Sequence, residues 1–256
     1  MKKIKHLALA FTLALVCASC GKKADGGQAF ADDALQSGEN GQEVVDEAEP
    51  AAVTTPIETS ISGSIDPKEW TPGEEATVSI SRFPNTLAEF ENLQEQIGDT
   101  PQGAVMLQLA AFELYNRDTK AGEEAIKLCN TEINVPSVMR IIPDKFGKTK
   151  YNDQHTPFLV ATYLDGATPE NGYNPTKPYT IQVRSSKVHK YERSEILKGY
   201  VLSLEVYSSG YDTHWRGCEV IKQKGNPYFV VNNSPAMYMG CKDIDWESDA
   251  EYHGLD

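Results

Sequence analysis

The chain has 256 residues, a net charge of −13 and a hydrophobic content of 40%. That allows one domain of ordinary size with tails, or two small ones, and is neither collagen-like nor wholly disordered in composition. A pI near 4.9 argues against nucleic-acid binding, which needs a basic face to neutralise phosphates.

Lys2, Lys3 and Lys5 precede an apolar run from Leu7 to Cys17. The run falls short of the roughly 20 residues of a membrane span and has the length of a secretory leader's apolar core. It ends Leu15-Val16-Cys17-Ala18-Ser19-Cys20-Gly21, with small residues just before Cys20. Residues 1–19 resemble the signal peptide of a bacterial lipoprotein, cleaved between Ser19 and Cys20. The resemblance implies a diacylglycerol on the Cys20 thiol and an acyl chain such as palmitate on its amino group; several chains together anchor stably. Cys17 stands where that pattern usually has Leu. Gly21 rather than Asp follows the cysteine, which in lipoproteins implies the outer membrane. The alternative is a plain secretory signal cut near Ala18 or Ser19, with Cys20 unmodified.

Residues 20–60 read as a tether. From Ala24 to Ser60 there are nine acidic residues and no Lys or Arg, with Phe30 the single aromatic. Such a segment buries too little apolar area to offset its ordering entropy, and its like charges extend it. It reads as a disordered spacer; the rival reading is an acidic interaction tail. Residues 61–80 are transitional, with Trp70, Val78 and Ile80 opening the fold and a strand over Ala76–Ile80.

Helices come next. Thr86 and Glu89 have capping-box spacing, and Leu87, Phe90, Leu93 and Ile97 share one helical face before Gly98. Thr100-Pro101 starts a second helix. Between Ala104 and Tyr115 only Gln108 and Glu113 are polar, which marks a helix buried all round. Asp118 caps a third helix with Ala121, Ala125, Leu128 and Cys129 inward, and Pro136 opens a short fourth. Strands follow: Tyr179–Arg184 alternates, Tyr200, Leu202, Leu204 and Val206 share a face, and Cys218–Lys222 and Tyr228–Val231 flank a turn at Lys224-Gly225-Asn226-Pro227. Helices then strands predict an α+β fold over residues 81–242, a single domain with N-terminal helices packed on a C-terminal antiparallel sheet.

Two segments carry a second resemblance: Phe83-Pro84-Asn85-Thr86-Leu87-Ala88-Glu89-Phe90, and the stretch from Gly166-Ala167-Thr168-Pro169-Glu170-Asn171-Gly172-Tyr173 to Pro178-Tyr179-Thr180. Together they are similar to a family of bacterial secreted or lipid-anchored proteins with a domain of unknown function, over about Phe83 to Met239. The resemblance implies a single domain and brings no catalytic residues. In the second segment, Asn171-Gly172 suits a turn with positive φ, and Pro169, Pro175 and Pro178 stiffen the chain. It reads as a rigid connector, or as a ligand-facing loop with Glu170, Asn171 and Tyr173 at its tip.

Chemistry is sparse. Gly147-Lys148-Thr149 lacks the upstream Gly of a phosphate-binding loop, since Ile142 stands there. Export would put Cys129, Cys218 and Cys241 in an oxidising compartment, where Cys218 and Cys241 form the natural disulfide pair, against three buried thiols as the alternative. A metal site at His214, Cys218 and Cys241 lacks a fourth ligand. The acidic tail, residues 243–256, lacks the Gly and Glu of a calcium loop and reads as solvated. No cofactor motif is present. The expectation is a lipid-anchored cell-envelope protein and non-catalytic binding module. Its partners would be the membrane through its anchor and an envelope protein or glycan, with no nucleic acid. The alternatives are an envelope-polymer hydrolase using carboxylates such as Glu170, and a domain holding a small apolar ligand between helices and sheet.

Overall fold

The computed structural model describes residues 55–149, 155–187 and 192–256. Ser19, Cys20 and nearly all of the expected tether lie outside the described residues. Two strands come first, β1 (Thr59–Gly63) and β2 (Glu75–Ile80). Five helices follow: α1 (Leu87–Ile97), α2 (Pro101–Arg117), α3 (Thr119–Cys129), α4 (Val135–Met139) and α5 (Ile142–Lys145). Five strands close the chain: β3 (Tyr179–Ser185), β4 (Glu192–Ser194), β5 (Gly199–Tyr207), β6 (Trp215–Ile221) and β7 (Val230–Asn233).

The helix starts follow from side-chain caps. Thr86 Oγ1 accepts from the Glu89 amide at 3.2 Å, and Thr100 Oγ1 from Gly103 at 3.1 Å. Asp118 accepts from Lys120 and Ala121, satisfying amides that the first turn of α3 leaves open. Glu89 departs from the usual box. It accepts from the Asn85 amide at 2.8 Å, one residue earlier than expected, and is gripped by Arg82 at 2.7 and 2.8 Å. Every residue of α2 from Pro101 to Tyr115 is buried. Gly122 lets α3 approach it, since a Cβ there would lie 2.1 Å from Tyr115 Cα.

The sheet is antiparallel, with seven strands in the order β1-β2-β3-β5-β6-β7, and β4 paired to β5. β3 meets β5 at Leu204–Val206 and β4 meets it at Gly199–Val201, so the two share one edge of β5. Helices and sheet make the expected α+β domain, with two strands ahead of the helices.

Two boundaries are corrected. The tether does not run to residue 60: Thr59 pairs with Ile80 and Ser60 with Ser79, so the expected tether end and transitional segment hold the first hairpin of the sheet. β1 is an edge strand with no residue fully buried, so its sequence carries no apolar face. The 243–256 segment is not simply solvated. Leu255 is buried, and Asp256 accepts from Tyr179 Oη at 2.5 Å and Lys177 Nζ at 2.7 Å. Val53–Asp256 groups as one compact unit, and the core from Ile57 to Leu255 lies wholly within it, so this stretch has the makings of a self-standing folding unit.

Candidate functional site: a cationic groove

The Gly166–Thr180 connector does structural work. Asn171 Oδ1 accepts from the Thr168 and Asn174 amides, and its Nδ2 donates to the Gly166 and Asn174 carbonyls. Tyr173 is buried, stacks on Phe158 at 4.9 Å and donates to the Lys242 carbonyl at 3.0 Å. Glu170 is exposed, and hydrogen bonds from its own amide and Thr168 lower its carboxyl. The loop cradles the C-terminal segment: Asp245 N donates to Pro169 O, Asn174 Nδ2 to Glu251 O, and His253 N to Asn174 Oδ1. Of the expected ligand tip, Asn171 and Tyr173 thus have their polar groups hydrogen-bonded within the fold, and Glu170 is exposed.

Cys129, Cys218 and Cys241 are free thiols, so the expected Cys218–Cys241 bridge is absent from this structure. Cys218 is buried in β6, whereas Cys241, beyond β7, is only partly buried. His214 stacks on Tyr207, its Nδ1 3.0 Å from the Ser208 carbonyl. Among the described residues no three His, Cys, Asp or Glu side chains gather as a metal site.

The chemistry concentrates elsewhere. A groove of about 680 Å³ opens at the start of β5 and the end of β6. Its floor is apolar: Pro67, Tyr200, Leu202 and Phe229. Tyr200 continues the core-facing alternation of Leu202 and Leu204 but is 45% exposed. The rim carries Lys68, Arg193, Lys198, Lys222 and Lys224 against one acid, Glu195. Glu195 lies 3.2 Å from Arg193, an exposed pair of small energetic weight. Among the described residues the four lysines form no ion pair. Lys222 Nζ sits 5.3 Å over the Phe229 ring.

The walls are held by backbone and side-chain hydrogen bonds. Lys224 N donates to Lys198 O, Gln223 Nε2 to Leu197 O, and Leu197 N to Ser194 Oγ, so the β4–β5 and β6–β7 turns are tied together. Gly199 permits that approach, since a Cβ there would lie 2.6 Å from the Lys222 carbonyl oxygen. Phe229 N donates to Gly98 O at 2.7 Å, fixing the floor to the end of α1. Sequence reasoning missed this site, although Lys187, Lys190, Arg193 and Lys198, then Lys222 and Lys224, form a basic run in an acidic chain.

A second depression, about 560 Å³, lies at Thr55–Ile57, Arg82 and Glu89, whose charges are engaged with each other. No curated protein and no solved structure matches the chain. A family does match, over residues 82–245: it is described as domain of unknown function DUF6935. Its span begins after β2 and stops short of Leu255, although both belong to the folded unit. With well over half its length matched, the chain belongs to the DUF6935 family.

Proposed function

We propose that the chain is a lipid-anchored protein of the bacterial cell envelope, held at the outer membrane through Cys20, and that it acts as a non-catalytic binding module. Its groove takes an anionic partner with an apolar part; an envelope protein or glycan of that chemistry fits. The carrying observation is the reversal of charge: a chain of net charge −13 lines one apolar-floored groove with five cations and a single acid. Such a patch concentrates anions where the rest of the surface repels them. The hydrolase alternative requires two carboxylates flanking one cleft; the groove lining supplies only Glu195, and in the second depression Glu95 is joined by a Glu89 already held by Arg82. A ligand between helices and sheet would have to displace α2 side chains that are already buried.

Titration of residues 53–256 with inorganic phosphate, an oligogalacturonate and a neutral oligosaccharide tests the groove by NMR. Shifts centred on Tyr200, Lys222 and Phe229 with the anions alone support it; no shift there with either anion sinks it. Intact-mass analysis of the native protein tests the anchor, whose mark is a product starting at Cys20 and heavier than its amino acids.

A further inference from the structure

We infer that the β4–β5 turn and the groove behind it dock on an anionic lipid bilayer, with Ile196 entering the headgroup–acyl boundary and the rim cations meeting lipid phosphates. This rests on reading the groove as an anion site and names its partner. The turn Glu195–Lys198 carries Ile196 at 83% exposure. A β-branched aliphatic has no turn chemistry to perform, and in water it gains nothing at such a tip. Ile196 shares a shallow depression with Lys198 and Lys224, which also rim the groove beside Arg193 and Lys222, and Tyr200 in that groove offers the amphipathic ring that suits the headgroup level. The tip is presented firmly, by the hydrogen bonds that join the two turns.

Two arguments favour a bilayer over a soluble polyanion. A polyanion would satisfy the lysines and leave Ile196 in water, whereas a bilayer takes up both. The net charge of −13 also repels an anionic surface from other directions, so this basic face sets the docking orientation. With the Cys20 anchor, docking would make a second attachment to the same membrane and raise its occupancy by effective concentration.

The test is co-sedimentation of residues 53–256, which lack the leader and Cys20, with vesicles of phosphatidylglycerol and of phosphatidylcholine. Binding to the first and not the second is expected, weakening with salt. Lys198→Ala/Lys222→Ala should weaken it ~30-fold, about fivefold per cation. Ile196→Ser should weaken it about tenfold, with unchanged melting temperatures for both variants because the altered groups are exposed. Equal binding to both lipids, or wild-type binding by Ile196→Ser, overturns the inference. If phosphate and oligogalacturonate shift the groove but phosphatidylglycerol vesicles do not bind, the anion-site reading stands and the bilayer falls. If neither the anions nor the vesicles bind, both fall.

Discussion

Arg117 Nη2 donates to the carbonyl oxygen of Leu255, 138 residues further along the chain. The same guanidinium holds Glu113 Oε1 at 2.9 Å and Asn85 Oδ1 at 2.7 Å. One cation therefore joins the core helix, the loop ahead of α1 and the C-terminal segment. Glu113 is nearly inaccessible, so its charge depends on this partner. Arg117→Met removes three hydrogen bonds and leaves Glu113 to take up a proton, and should cost about 2–3 kcal/mol in urea unfolding of residues 53–256. Arg117→Lys keeps the charge but not the fork of donors, and should cost less.

Burial pushes the Glu113 carboxyl up to about 7, against the opposing pull of Arg117 and Asn116. The folded state therefore holds a proton that the unfolded state, titrating near 4.5, has released. Glu113 thus favours folding at low pH, and that contribution is lost as pH rises from 4.5 through 7, on the order of 3 kcal/mol in total. Asp256 acts in the opposite sense: hydrogen bonds from Lys177 and Tyr179 hold it down at about 2, so its small, exposed contribution is lost only in strong acid. Melting temperature against pH should fall across the upper window in the wild type, and Glu113→Gln should flatten that fall.

Asn171 can serve a rigid connector or a ligand contact, and the two roles separate experimentally. Asn171→Ala breaks four hydrogen bonds within the loop and should destabilise by about 2 kcal/mol, seen as a lower melting temperature. Phosphate binding at the groove should be unaffected, since Asn171 is not among its lining residues.

Gly122→Ala should be more damaging than most surface substitutions. The added methyl would meet Tyr115 backbone at 2.1 and 2.3 Å, so α3 must move off α2. A loss of at least about 3 kcal/mol is expected, or failure to fold, read by circular dichroism and urea unfolding.

Desolvation raises the thiols of Cys129 and Cys218, and raises Cys241 up to about 11. Thiolate is the reactive form. Alkylation of native protein at neutral pH should be slow at Cys241 and slower at the two buried positions, then rapid at all three in urea. Mass spectrometry showing a Cys218–Cys241 crosslink in the native protein would contradict this ordering.

The helix layer was legible because its signals are local. Thr86, Thr100 and Asp118 cap where their spacing says, and the uninterrupted apolar character of α2 matches its complete burial. Tyr179–Arg184 alternates because one face of β3 meets the core. β1 was illegible for the complementary reason: at the sheet edge neither face is fully buried, so Thr59–Gly63 needs no pattern. The groove was illegible because it is a product of topology. Lys68, Lys198 and Lys222 are far apart in sequence and meet only where the 67–68 loop and two hairpin turns converge. The role of the Gly166–Thr180 segment depended on a partner at the far end of the chain, and no local rule couples Asn174 to Glu251.

The enclosure of α2 has a consequence for how the gene tolerates change. A helix lying on a surface shows a beat in a saturation-mutagenesis profile, with permissive positions recurring every three or four residues. Pro101–Tyr115 has no water-facing side. Its profile should be one unbroken block of intolerance, in which Gln102 and Gln108 resist polar replacements as firmly as Leu107 and Leu109 resist charge.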